Sequence, residues 1–315
     1  MRLVFTLSLS LLAAFPTESF AQTPVVKLAF VWRPGLQGSV VTTRTLTSTT
    51  DTRSSSSATW RYNFRVDHIG ENLLVRFTDP SIEFPAASGK LSEARQLQIL
   101  GQLGELAPDY VVTKSGGFVR VHDPESFRTR LLSFIAKNAP AGLDSTVVKN
   151  TVTQLASETS LNNRAAEAWN LMVRAWQGAG LRLTQKAEFK AREPVAFLGG
   201  ETILMNYTQT ASNLARCSRG GGDRECVELE MRGTPDAEDL KRALPLIEAR
   251  LRKGSETLIY RKLEFENVLQ LVTEPSGLVP HEATLTRTVR GTAVAKNGEV
   301  SIESVDITKS VYTYP

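Results

Sequence analysis

Residues 59–66, Thr59-Trp60-Arg61-Tyr62-Asn63-Phe64-Arg65-Val66, decide the fold class because apolar and polar side chains alternate along them. A period of two is typical of a β-strand that buries one face and leaves the other in water. The segment therefore predicts a strand of an antiparallel sheet, with an aromatic inner face and an arginine-bearing outer face.

Further strands are predicted on both sides of this segment, so that residues 25–78 form a strand region. After a turn at 67–72 the inner-face candidates are Leu73, Val75 and Phe77. An earlier alternation ends at Pro34-Gly35 and comprises Val26, Leu28, Phe30 and Trp32.

Residues 42–59 hold 13 Ser or Thr among 18 positions. Such a composition fits either a glycosylated or disordered stalk or a long Thr-rich hairpin with a solvated outer face. We favour the hairpin, because threonine is enriched in strands.

The middle of the chain, residues 89–178, is predicted to be mainly helical. A helical repeat runs from Leu91 to Leu103, and a short hairpin around Ser115-Gly116-Gly117 follows. Asp123-Pro124 is a helix start, because a capping carboxylate precedes proline at the first helical position. Two apolar stripes then predict core-facing helices, the second ending at Gly178: Phe127, Leu131, Phe134 and Ile135, and Trp169, Met172, Val173 and Trp176.

Residues 179–315 are predicted to be strands with one inserted helix. The helix begins at Thr234-Pro235-Asp236 and carries Pro245, which should kink it. Asn297-Gly298 indicates a tight hairpin between the last strands. Strands, then helices, then strands predict one α+β domain over residues 22–315.

Residues 1–21 are typical of a cleavable signal peptide. Arg2 precedes the uncharged run Leu3–Phe15, and Ser19-Phe20-Ala21 predicts a cut after Ala21. The alternative is a buried N-terminal helix. A cleavable signal peptide predicts a periplasmic or secreted protein with no membrane span in the mature chain. Because such compartments are oxidising, we also predict a disulfide between Cys217 and Cys226.

Catalytic patterns are missing from the sequence. The three histidines, His68, His122 and His281, are not spaced like metal ligands, and no nucleophile elbow or phosphate-binding loop occurs. A net charge of +4, from 37 basic and 33 acidic residues, is too small to indicate nucleic-acid binding. We therefore expect no catalytic residues, no metal and no cofactor. A hydrolase site assembled from distant residues remains the alternative.

Arginine on the predicted outer face allows two interpretations. Arg61 and Arg65, with Arg76, could contact an anionic surface, joined by Arg287 and Arg290 from a later strand. Alternatively they form a solvated sheet face that discourages edge pairing. We favour the second interpretation.

The overall arrangement resembles the periplasmic lipoprotein-carrier type of fold. The resemblance lies in the meander ending in Asn72-Leu73-Leu74-Val75-Arg76-Phe77, in the central helices, and in Glu274-Pro275-Ser276-Gly277-Leu278-Val279-Pro280 between late strands. It implies a curved, half-barrel-like antiparallel sheet with helices packed on one face, and an apolar cavity sheltered between the sheet and those helices. It assigns no binding residues.

These observations favour a non-enzymatic exported protein that binds an apolar or amphiphilic ligand, such as a lipid, or an envelope protein partner. The candidate lining is the predicted inner face: Trp60, Tyr62, Phe64, Leu73, Val75 and Phe77. The same residues would also serve as an ordinary core. A structural subunit of an envelope assembly is a further alternative.

Overall fold

A computed structural model describes residues 24–49, 53–84, 99, 102, 106–138, 145–195, 201–217, 224–251, 259–295 and 298–315. The predicted signal peptide lies outside these ranges. So does the helix predicted over residues 91–103, apart from Ile99 and Gln102.

Thirteen strands and four helices make up the described chain. The strands are β1 (Val25–Lys27), β2 (Gln37–Thr49), β3 (Arg53–Ile69), β4 (Asn72–Glu83), β5 (Tyr110–Val112), β6 (Phe118–Val121), β7 (Gly180–Arg182), β8 (Lys186–Val195), β9 (Glu201–Arg216), β10 (Glu225–Pro235), β11 (Ile259–Glu274), β12 (Val279–Ala295) and β13 (Gly298–Thr313). The helices are α1 (Pro124–Asn138), α2 (Ser145–Leu155), α3 (Glu158–Trp169) and α4 (Ala237–Leu251), and a π-helical turn (Asn170–Arg174) continues α3.

Eleven of the strands form one antiparallel sheet in the order β6-β5-β4-β3-β2-β13-β12-β11-β10-β9-β8. Two meanders, β2 to β6 and β8 to β13, meet where β2 pairs with β13, with Val41 opposite Val311. The remaining strands, β1 and β7, form a separate two-stranded sheet.

The antiparallel sheet is confirmed, but the chain is mostly β. The expected α+β class, with a helical middle packed on one face, gives the helices too much weight, because strands make up most of the described chain and the four described helices are each 15 residues or shorter.

The strand predicted from Val26 to Trp32 is mostly wrong. Only Val25–Lys27 pairs, with β7. Residues 28–33 form no strand, and their backbone bonds to loops instead: Leu28 N donates to Ala179 O at 3.0 Å and Ala29 N to Pro275 O at 3.0 Å. The alternation there reflects side chains buried in the core, since Leu28 and Phe30 are both buried.

The Thr-rich segment forms the predicted hairpin, β2 against β3, with Thr43 opposite Thr59. The hairpin β5–β6 and the turn before β12 are also confirmed. The turn after Glu274 spans residues 275–278.

The predicted helix faces are confirmed where the structure describes them. Asp123 Oδ1 accepts a hydrogen bond from Ser126 N at 3.1 Å and caps α1, whose buried residues are the predicted four. Three of the four residues of the second stripe, Trp169, Val173 and Trp176, are each at most 1% exposed, and the fourth, Met172, is half-buried.

Asp239 fastens α4 to the sheet. Its carboxylate accepts hydrogen bonds from Leu204 N at 2.8 Å and from Arg192 Nη1 at 3.0 Å, and it also pairs with Arg242. The pKa of Asp239 lies below its ordinary value. The hydrogen bond from the Leu204 amide is the main cause, and the guanidinium groups of Arg192 and Arg242 lower the pKa further, whereas burial acts in the opposite direction.

The predicted disulfide joins Cys217 and Cys226, with an S–S distance of 2.04 Å. It ties the end of β9 to the start of β10. Separately, no helix within the described ranges is both long and apolar enough to cross a membrane.

Candidate ligand cavity

A cavity of about 250 Å³ lies between the inner face of the sheet and the end of α3. Strands β2, β3, β4, β11, β12 and β13 contribute alternate side chains to it, because every second residue of a strand points to the same face. The α3 region, residues 106–108 and the side chains of Trp32, Tyr110 and Leu278 complete the lining. A neighbouring cavity of about 260 Å³ shares four lining residues with it: Tyr62, Phe77, Leu106 and Ala107.

Five of the six predicted lining residues border this cavity. They are Trp60, Tyr62, Phe64, Val75 and Phe77. Leu73 is not part of the lining and lies in the main apolar core at 1% exposure. The binding role of all six stays a prediction.

The wall of the cavity is built of aromatic rings. Trp169 meets Trp32 edge to face at 5.2 Å between ring centroids and Tyr110 at 5.4 Å, while Tyr62 meets Phe77 at 5.3 Å. Edge-to-face pairs of this kind contribute beyond their buried area and hold the rings in fixed orientations. The wall is therefore a rigid apolar surface.

Several lining residues are not among the predicted ones. Trp169 and Met172 were interpreted as core, and they do pack against the sheet, but they also face the cavity. Strand β13 adds Thr308, Ser310 and Tyr312. These three residues occupy every second position of residues 308–312, and this spacing is the sequence signal that could have predicted that they share one face.

Uncharged polar groups form a small cluster on the cavity wall. Thr42 Oγ1 lies 2.9 Å from Ser310 Oγ and 3.4 Å from Tyr62 Oη. Tyr312 Oη donates to Met172 Sδ at 3.3 Å. Burial raises the pKa of Tyr62 and of Tyr312 above the ordinary phenol value, so both hydroxyls are neutral at physiological pH.

Charged groups at one side of the cavity are paired with each other. Arg44, a lining residue, binds Asp306 with two hydrogen bonds, Nε to Oδ1 at 2.9 Å and Nη2 to Oδ2 at 2.7 Å. On the next strand Arg287 lies opposite Asp306 in the sheet and donates to Glu167 of α3 at 2.7 Å. Arg44 and Arg287 are thus each matched by a carboxylate.

The four tryptophans differ in how their indole N–H groups are satisfied. Three donate to backbone carbonyls: Trp32 to Leu278 O at 3.2 Å, Trp169 to Gly116 O at 2.8 Å and Trp176 to Leu171 O at 2.8 Å. Trp60 is 3% exposed, and its Nε1 is buried without a hydrogen-bond partner. Buried donors are nearly always satisfied, so this one requires an explanation.

The outer-face arginines are engaged by carboxylates. Arg61 pairs with Glu83 at 3.2 Å, and Asp67 pairs with both Arg65 at 2.7 Å and Arg76 at 3.2 Å. This face is therefore largely neutralised, and contact of Arg61 and Arg65 with an anionic surface stays a prediction.

The two later arginines do not share a face. Arg290 is exposed beside Glu303 at 2.9 Å, whereas Arg287 is turned towards Glu167 of α3. Residues two apart would share a face, but these are three apart.

The histidines lie away from the cavity lining. His281 is buried, with Nε2 3.1 Å from Glu274 Oε1 and its ring against Tyr314. It also lies within 4.8 Å of Cys217 and Cys226, which is the metal-like grouping found among the described residues. Both sulfurs are in the disulfide, and a sulfur in a disulfide is not the thiolate that binds metals.

No family model matches the sequence, and no curated protein matches it. A solved structure titled "Lipid-protein interactions in lipovitellin" matches 89% of this chain at 13% identity, with a TM-score of 0.41. The chain spans 25% of the length of that structure.

Proposed function

We propose that the protein is an exported, non-enzymatic binding protein that takes an apolar or amphiphilic ligand into the cavity between the sheet and α3. The observation that supports this is the aromatic wall. A cavity with a mostly apolar lining and a few polar groups is the usual form of a small-molecule site.

The energetics favour an apolar occupant. Burying apolar surface contributes about 25 cal/mol per Å², and rings held by edge-to-face contacts do not need to be ordered when a ligand arrives. The polar cluster around Thr42 and the pair Arg44–Asp306 provide one polar side, which suits an amphiphile.

Export is supported by the N-terminal sequence pattern and by the disulfide. Disulfides persist in oxidising compartments and are rare in the cytosol. The periplasm or the extracellular space is accordingly part of the proposal.

A space-filling substitution tests the cavity. Ala283 on β12 lines it and is buried, whereas the next residue, Thr284, faces the other side of the sheet. We expect Ala283→Leu to lower the affinity for the neutral fluorescent probe N-phenyl-1-naphthylamine at least roughly 10-fold, because the added carbons occupy the space that the probe needs. The control Thr284→Leu should bind as the wild type does.

A second filling variant guards against misfolding of the first. Ala168→Leu adds the same side chain from α3, on the opposite wall. Failure of the wild-type protein to bind the probe, or unchanged binding in both filling variants, would refute the proposed function.

A further inference from the structure

Trp60, whose buried indole N–H has no hydrogen-bond partner, is one of the residues that line the proposed cavity. Trp60 is a cavity residue on β3, opposite Thr42 of β2. The other three indole N–H groups each have a backbone acceptor, so the sheet and helices can supply such acceptors elsewhere. Leaving a buried donor unpaired costs more than a hydrogen bond normally contributes.

We infer that the ligand provides the missing acceptor, and that it is an amphiphile whose polar group is an uncharged oxygen, such as an ester or ketone carbonyl, received by Trp60 Nε1–H. This inference rests on the proposed function and specifies the chemical class of its ligand. The alkyl part would lie against the aromatic wall, and the carbonyl oxygen would lie at the indole edge.

The cations that line the cavity argue for an uncharged group. Arg44 is held by both oxygens of Asp306, and Arg164 donates to Leu155 O at 2.7 Å. A buried carboxylate needs a cation or several donors to replace its hydration. Because the charge of Arg44 is already matched by Asp306, a carboxylate ligand beside it would lose its water without gaining an unmatched cation.

The thermodynamic expectation follows from the unpaired donor. A carbonyl that meets Trp60 Nε1–H satisfies a group that is unsatisfied in the unliganded protein, whereas a hydrocarbon leaves it unsatisfied. One hydrogen bond should make an ester bind roughly 2- to 10-fold more tightly than an alkane with the same chain, in addition to any difference in solubility.

The test compares three ligands that share an alkyl chain: decane, methyl decanoate and decanoate. Each displaces N-phenyl-1-naphthylamine from the wild type, from Trp60→Phe and from Trp32→Phe. Both tryptophans line the cavity, but the N–H of Trp32 is already used by Leu278 O. Trp32→Phe therefore controls for the loss of ring area.

We expect Trp60→Phe to lower the affinity for methyl decanoate relative to decane roughly 2- to 10-fold, and Trp32→Phe to leave that ratio unchanged. We also expect decanoate to bind the wild type more weakly than methyl decanoate. An unchanged ratio in Trp60→Phe would overturn the role of its N–H, and tighter binding of decanoate than of the ester would overturn the uncharged class.

These outcomes are distinguishable from failure of the proposed function. If none of the three ligands displaces the probe, the cavity itself is not a binding site. If decane displaces the probe but the affinity for methyl decanoate relative to decane is the same in the wild type and in Trp60→Phe, the cavity binds apolar ligands and only the inference about the carbonyl is wrong.

Discussion

Asp306→Asn should raise the affinity of the cavity for carboxylate ligands relative to uncharged ones. The substitution keeps the shape of the side chain but removes the charge that neutralises Arg44. In the wild type the pair is joined at 2.9 and 2.7 Å, and its side chains are only 22% and 13% exposed. With the carboxylate removed, Arg44 loses the negative charge that Asp306 provides, while it remains in the cavity lining.

The size of the effect follows from the chemistry of the pair. A hydrogen bond to a charged group contributes about 1.5–3 kcal/mol, which corresponds to roughly 10- to 150-fold in Kd. Because Arg44 is partly exposed and a carboxylate ligand must lose water, we expect the lower end, about a 10-fold gain for decanoate relative to methyl decanoate. The same substitution should lower the free energy of unfolding by about 1–3 kcal/mol, less than for a fully buried pair.

The assay is displacement of N-phenyl-1-naphthylamine by the two ligands, with circular dichroism to show that the variant is folded. Glu303→Gln is the matched control, because Glu303 is on the same strand but pairs with the exposed Arg290. A ratio of decanoate to ester affinities that stays at the wild-type value in folded Asp306→Asn would refute the reasoning. So would an equal shift in Glu303→Gln.

Two further predictions concern stability. Gly116 (φ +81°) and Gly178 (φ +76°) both have left-handed backbones, but a Cβ on Gly116 would lie 2.8 Å from Phe30 Cγ, whereas a Cβ on Gly178 would meet nothing within 4 Å. Gly178→Ala should therefore lower the free energy of unfolding by about 1–2 kcal/mol. Gly116→Ala should lower it by about 2–5 kcal/mol, because the added Cβ also overpacks the core. Equal losses of unfolding free energy in the two variants, measured by urea unfolding, would contradict this. Because the pKa of Asp239 is lowered by folding, its ionised form stabilises the protein at neutral pH, and that contribution is lost as the pH falls below 3.8, the ordinary value. Asp239→Asn should accordingly be less stable than the wild type at pH 7, with the difference shrinking in acid, and a difference that stays constant with pH would show that the carboxylate charge is not responsible.

Sequence patterns predicted the strands and helices whose formation depends on residues close together in the sequence. The alternation around Trp60 fixed the inner face of β3, and Asp123-Pro124 fixed the start of α1. The pairing of β2 with β13 was beyond such reasoning, because nothing in either strand specifies a partner so distant in the sequence.

Whether an apolar face is a filled core or a cavity wall was equally beyond the sequence. Leu73 and Val75 belong to the same alternation, yet only Val75 lines the cavity. The difference depends on which side chains cover the sheet, and that is set by α3. The inward direction of Arg287 could have been predicted. It lies on the same face of β12 as the buried Ala283 and Val289, and it is the charged residue in an otherwise apolar series.

The junction of β2 with β13 also determines when the sheet can be completed during folding. Thr42 and Ser310, which touch across it, are 268 positions apart, so this contact forms slowly compared with the hairpins on either side. Until β13 arrives, β2 is an unpaired edge of the first meander, and exposed edges promote aggregation. The threonine, serine and arginine side chains of β2 make that edge polar, so the composition that first suggested a stalk protects a strand whose partner comes last.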